Sequence, residues 1–309
     1  MTLKNVLNFI LKTLLISAVM LVVTIIVSMF RPLTTEGSTT HNEGIIMLLL
    51  MTLTTVYSLV IGLVIKNARG SRLQLIMGLL IAFYGVQTVI GQIEALFFLT
   101  PLGEKFGAGS IPVIEMPVDF IISQFIIWGT VTLVGIPLAV MLFDRRKKEN
   151  RPPIQWIPKL NTSEWLLKLG IVIVTYELLY FGFGYFVAWK NPAILAFYKG
   201  TDPGSFIEQL AYVARETPGL YGLQAFRSLL WVVIAFPVIS MLSHKRWTGA
   251  IITGIFVSLP MNIPHIIPNP YMPAEVRVVH FTETVISTFI FGIILFWLFK
   301  SKEKKETGT

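Results

Sequence analysis

Long apolar blocks of roughly twenty residues, separated by short polar junctions, follow one another along the whole chain. They fall at about 8–30, 44–66, 73–98, 118–143, 164–189, 220–243, 247–264 and 277–299. The hydrocarbon core of a bilayer is about 30 Å thick, so a helix needs roughly 20 apolar residues to cross it. Barrel strands alternate apolar and polar residues, whereas these blocks are continuously apolar, which excludes a barrel. The pattern predicts an all-α, polytopic membrane helix bundle with about eight transmembrane helices. The seventh block is the shortest and runs into Pro260 and Pro264, so its far end is expected to be partly unwound. The first block is too long for a signal-peptide core and has no small-residue cleavage site; it is expected to stay as a span.

Charge orders these blocks. Cytoplasmic junctions carry an excess of Lys and Arg. Alternate junctions collect Lys4, Lys66, Arg69, Arg72, the run from Arg145 to Lys159, Lys245, Arg246 and Lys300 to Lys305. With Lys12 and Lys168 near helix ends, one side holds 18 of the 25 basic residues and the other holds six. Arg227 alone lies inside a block. The bias predicts both termini in the cytoplasm, with the protein in the cell membrane. The chain then divides into spans one to four (1–143), a basic cytoplasmic loop (144–163), spans five to eight (164–299) and a basic tail (300–309), with no internal repeat. Trp156, Trp165, Trp247 and Trp297 fall at the inner boundary and Trp189 at the outer one, where amphipathic rings prefer to sit. Near 205–216, Ser205 and Glu208 have capping-box spacing, and Phe206, Leu210 and Val213 share one face. That segment predicts a short amphipathic helix at the outer surface.

Composition narrows the partners. Only 14% of residues are charged and the mean hydropathy is +0.72, so the net charge of +8 reflects loops facing anionic lipid rather than a nucleic-acid surface. Cysteine is absent, which removes disulfides, thiolate metal sites and Cys nucleophiles. Membrane lipids are the expected surroundings, no cofactor is indicated, and the pattern specifies no oligomeric state.

An ionisable group in hydrocarbon is costly unless paired or hydrated, so the polar residues inside spans locate any chemistry. Nearly all lie in the outer half: Gln87, Gln92 and Glu94; Asp119 and Gln124; Glu177; Gln224 and Arg227; Asn262 and His265; Arg277, His280 and Glu283. Helical spacing gathers Gln87, Gly91 and Glu94 on one face. Glu177, Tyr180 and Gly184 form a second stripe, Gln224, Arg227 and Trp231 a third, and His280, Glu283 and Ser287 a fourth. The expectation is an outward-opening polar pocket formed by Glu94, Gln124, Glu177, Gln224, Arg227, His280 and Glu283, with Arg227 paired to Glu177 or Glu283. The Pro-rich connection 260–276 and the loop 99–117 are placed to roof it.

Three function classes fit this pattern. A binding or transport protein would take a small polar or amphiphilic ligand, with Arg227 drawing an anionic group. A membrane-embedded hydrolase or lipid-modifying enzyme would use His280 and Glu283, and His265, His280 and Glu283 are the residues that could share a metal. An accessory subunit would use the stripes for helix packing alone. No H-E-x-x-H, G-x-S-x-G or nucleotide-binding loop is present. The adjacent glutamates of CAAX-protease-like membrane endopeptidases are also missing. His265 and Asn269 do read H-x-x-x-N, with Pro268 interrupting the helix that motif needs.

Overall fold

The computed structural model describes residues 2–31, 43–106, 116–144, 154, 156–158, 160–198, 202, 204–242, 246–268 and 271–300. Most of the basic loop, the tail beyond Lys300 and the centre of the loop 99–117 lie outside these residues. Eight helical segments are long and apolar enough to cross a membrane. They are α1 (Leu3–Ser28), α2 (Glu43–Asn67), α3–α4 (Arg72–Tyr84 and Ile90–Leu99), α6 (Val118–Phe143), α7 (Thr162–Phe183), α10 (Gly219–Met241), α11 (Arg246–Asn262) and α12 (Ala274–Phe299). Three short helices join them: α5 (Pro101–Lys105), α8 (Pro192–Phe197) and α9 (Phe206–Glu216). This is the architecture of a multi-pass membrane protein, and the described residues form no strand. Large apolar side chains such as Leu11, Leu133, Met141, Leu178 and Val233 remain exposed on the flanks of the bundle, the surface expected where lipid replaces water.

The helix boundaries follow local chemistry. Ser71 accepts from the Gln74 amide while Gln74 returns to the Ser71 N–H, and Asn161 and Glu164 do the same for α7. Helix α1 starts at Leu3, five residues before the apolar block, because Leu3, Val6 and Leu7 already continue its outer face. Helix α11 ends at Asn262 and tightens into a 3₁₀ turn over Ile263–Ile266, the unwinding expected of Pro260 and Pro264. Two π turns interrupt the long helices, at Gly85–Val89 between α3 and α4 and at Gly184–Ala188 after α7. At the first, a Cβ on Gly85 would come within 2.6 Å of Ile234. That glycine lets α10 press against the turn.

The basic junctions gather at one end of the bundle. Ala68 and Leu242 form a β-bridge, Arg69 N–H donates to Met241 O at 2.7 Å, and Arg72 Nε lies 3.6 Å from Asp144 Oδ2. Lysines there cap the helices that terminate beside them. Lys12 donates to Leu142 O in the last turn of α6. Lys168 donates to Leu298 O at 2.7 Å, and Lys300 to Leu242 O at 2.5 Å. Each ammonium meets carbonyls left unpaired at a helix C-terminus, where the helix dipole is negative. The strongly polar residues within the spans lie toward the opposite end.

Candidate functional site

Toward the end opposite the basic junctions, the helices enclose a cavity of about 350 Å³. Small-molecule sites run from roughly 300 to 1,000 Å³. Its floor and sides come from α2, α4, α6, α7 and α12, including Leu50, Gly91, Glu94, Trp128, Tyr180 and Glu283. Both π turns border it, through Gln87 and Gly184. Its cover comes from the connection after α11 (Pro264, His265, Ile267, Pro268, Tyr271, Met272), from Leu99 and Met116, and from α8 and α9. Met116 N–H donates to Leu99 O at 2.8 Å, which ties the two ends of that loop together over the cavity.

The charged residues form two linked groups. Arg227 donates from Nη2 to Glu94 Oε2 at 2.8 Å and from Nη1 to Gln224 Oε1 at 2.9 Å. Arg227 is 1% exposed, while the Glu94 side chain is 28% exposed and reaches the cavity. In the second group, Tyr198 Oη lies 3.1 Å from His280 Nε2, and His280 Nδ1 lies 3.4 Å from Glu283 Oε2. The imidazole thus bridges a phenol and a carboxyl group, one at each ring nitrogen. His265 Nδ1 lies 2.9 Å from Asn262 O. A void of about 20 Å³ separates the two groups and is bordered by Glu94, Arg227, Glu283, Ser287 and Thr288. It has room and polar partners for one water.

Of the residues anticipated from the sequence, Glu94, Gln124, His280 and Glu283 line the cavity, and Gln124 accepts the Trp128 indole N–H at 2.9 Å. Gln224 and Arg227 stand one layer behind Glu94. The expected partner of Arg227 is corrected: it pairs with Glu94, not with Glu177 or Glu283. Its guanidinium does not line the cavity, so it is not placed to draw an anion there. Glu177 is half-exposed and borders neither void. The inward stripe of α7 is Val172, Tyr176, Tyr180 and Gly184, and Glu177 sits about 100° around the helix from Tyr176. Asp119 is exposed, and Arg277 donates to Ile267 O at 2.6 Å beside the cavity cover. Among the described residues, no group of three potential metal ligands converges.

What sequence spacing missed is aromatic. Phe98, Phe120, Trp128, Trp189, Tyr198 and Tyr271 all line the cavity, beside Tyr180, which helical spacing does place on an inward stripe. Trp189 and Tyr198 lie near a helix end, where rings are usually read as interface anchors; here their centroids are 5.7 Å apart in one wall. Gln209 and Val213 of α9 also reach the cavity, so the amphipathic helix closes it as well as packing on the bundle. Beneath α9 lie Phe97, Phe181 and Leu220, and Tyr221 Oη donates to Leu210 O at 2.9 Å.

The seat of α9 is also electrostatic. Ser205 O–H and N–H donate to Glu208 Oε2 at 2.6 and 2.7 Å, and these bonds hold the Glu208 carboxyl below its usual range. The Gly204 N–H, and after it Lys190, likewise lower Asp202. A depressed carboxylate stabilises the folded form fully above its unfolded pKa, and that contribution is lost as pH falls through the folded value. Amide exchange over 206–216, corrected for intrinsic rates, should therefore accelerate as the medium is acidified below about pH 4. In Glu208→Gln it should already be raised at neutral pH and change little on acidification.

Comparison with protein families, curated proteins and solved structures gives no match to this chain.

Proposed function

We propose that this membrane protein binds, and as a transporter carries, a small amphiphilic molecule in the cavity beneath α9. The observation that carries the reading is one cavity of about 350 Å³ with aromatic and aliphatic walls and a few convergent polar groups. That combination is characteristic of small-ligand sites. A bundle needing polar groups only for assembly would close them against one another, as Asn262 does with Ser258 O and Thr288. The excess of lysine and arginine supports a cytoplasmic position for the basic end, and with it an extracytoplasmic position for the cavity.

Gly91 supplies the test. A Cβ on it meets no atom within 4 Å, yet the residue lines the cavity. Gly91→Leu should intrude on the volume, with its Cβ in open space, and it removes a helix-weakening glycine. In a panel of small amphiphiles, at least one should raise the thermal midpoint of the wild-type protein in nanodiscs and leave Gly91→Leu unchanged. A panel that never separates the two proteins would overturn the reading.

A second reading rests on the Tyr198–His280–Glu283 chain, which has the connectivity of an acid–base relay. It expects turnover of a membrane-borne or extracytoplasmic substrate that is lost in His280→Ala while binding persists.

A further inference from the structure

Two acidic side chains and one basic one meet at one small void: Glu94, Glu283 and Arg227 border it. Glu94 takes the guanidinium directly. Glu283, with its side chain 8% exposed, has among the described residues only the His280 ring as a partner. The other nitrogen of that ring lies 3.1 Å from Tyr198 Oη. A carboxylate removed from water without a full counter-charge is costly, and among the described residues no Lys or Arg side chain lines the cavity.

The surroundings of Glu283 suit a cation. A single carbon placed on Gly184 would lie 3.5 Å from Glu283 Oε1 and 3.6 Å from the Trp189 ring, so carboxylate and indole meet over one point. Tyr198 packs against Trp189 with centroids 5.7 Å apart, and Phe98 closes on Tyr198 at 6.3 Å. Aromatic faces attract ammonium groups through the ring quadrupole, most strongly where water is excluded. Further acceptors stand ready: Gln92 and Gln209 line the same cavity, and the Oε1 of each is buried with no hydrogen-bond partner. Gln209 is 4% exposed. Unpaired buried acceptors call for a donor.

The geometry points to a protonated aralkyl or alkyl amine as the ligand class, its ammonium held by Glu283 inside the Trp189–Tyr198–Phe98 wall and its apolar body in the remaining cavity. This rests on the binding reading given above. It reverses the anionic preference that Arg227 suggested on sequence alone, because Glu94 has already claimed that guanidinium. An ammonium would give Glu283 a full counter-charge.

Three probes of nearly one shape test it: phenethylammonium, phenethyl alcohol and phenylacetate, titrated calorimetrically into the protein in nanodiscs. The ammonium should bind at least tenfold more tightly than the alcohol, and phenylacetate should bind worst. In Glu283→Gln the cation's advantage over the alcohol should vanish. Trp189→Leu, which keeps the carboxylate, should weaken the cation by about twofold to thirtyfold, the span of a single cation–π contact. If the alcohol or phenylacetate binds as tightly as the ammonium, and Gly91→Leu abolishes that binding, the amine inference is wrong and the cavity reading stands. Binding that Gly91→Leu leaves intact, or no binding of any probe to the wild-type protein, overturns both.

Discussion

Glu94→Ala should destabilise the protein by about 3 kcal/mol, and Arg227→Met by about 1 kcal/mol, although each breaks the same ion pair. The asymmetry comes from burial. Arg227 is 1% exposed and its guanidinium keeps its charge at any accessible pH, so removing Glu94 leaves a permanent cation whose remaining hydrogen-bond partner among the described residues is Gln224. Removing Arg227 instead leaves a carboxylate that is 28% exposed to the cavity, where water or a proton can accommodate it. Methionine also retains most of the arginine's packing volume against Tyr176, whose ring the guanidinium carbon approaches to 5.9 Å. The estimate for Glu94→Ala sits at the low end of the usual cost because the glutamate is not fully desolvated. Chemical unfolding in detergent micelles measures both changes. The double variant Glu94→Leu with Arg227→Met should recover most of the loss, since neither buried charge remains. A double variant no more stable than Glu94→Ala alone would mean that packing, not charge, governs this site.

The sequence carried the frame of this molecule more fully than its site, for a physical reason. Crossing a bilayer imposes a length and a polarity on every span, and both are local properties of the chain. Eight helices were therefore legible in eight apolar blocks, and the 3₁₀ end of α11 in Pro260 and Pro264. The same cost of burying polar groups made Glu94, Gln124, His280 and Glu283 conspicuous, and all four reach one cavity. Pairing is different, because it depends on how helices are rotated against one another. Glu177 was grouped with Gly184 by helical spacing, yet the stripe that packs inward is set by Val172, Tyr176 and Tyr180. A carboxylate draws attention, but aromatic bulk decides the rotation. Trp189 and Tyr198 were hidden for the converse reason: a ring near the membrane boundary looks the same in sequence whether it anchors to lipid or walls a cavity. The π turns at Gly85 and Gly184 left no readable signal beyond the glycines themselves.

Gly292→Ala should cost about 3 kcal/mol, the upper end of what one added methyl does in a packed interior. In lipid, neighbouring helices gain no hydrophobic advantage from touching, so close approach through small residues carries the association. Helices α11 and α12 form the most extensive pair in the bundle, and they meet glycine to glycine. A Cβ on Gly292 would lie 2.8 Å from Gly254 Cα and 2.9 Å from Thr253 O, and one on Gly254 would lie 2.9 Å from Phe289 O. These obstacles are backbone atoms, which have no rotamer to change, so the helices must separate. Separation would also strain two bonds that set their register: Ser258 Oγ to Val285 O at 2.7 Å, and Asn262 Nδ2 to Thr288 Oγ1 at 3.2 Å. Gly182→Ala is the matched control, because a Cβ there meets nothing within 4 Å and alanine favours helix by about 1 kcal/mol. Thermal unfolding should therefore move in opposite directions for the two glycines, down for Gly292→Ala and level or up for Gly182→Ala. Equal midpoints for both variants would mean that α11 and α12 do not meet at Gly254 and Gly292. The placement of His280 and Glu283 depends on that contact, because α12 carries both residues and α11 fixes where α12 lies.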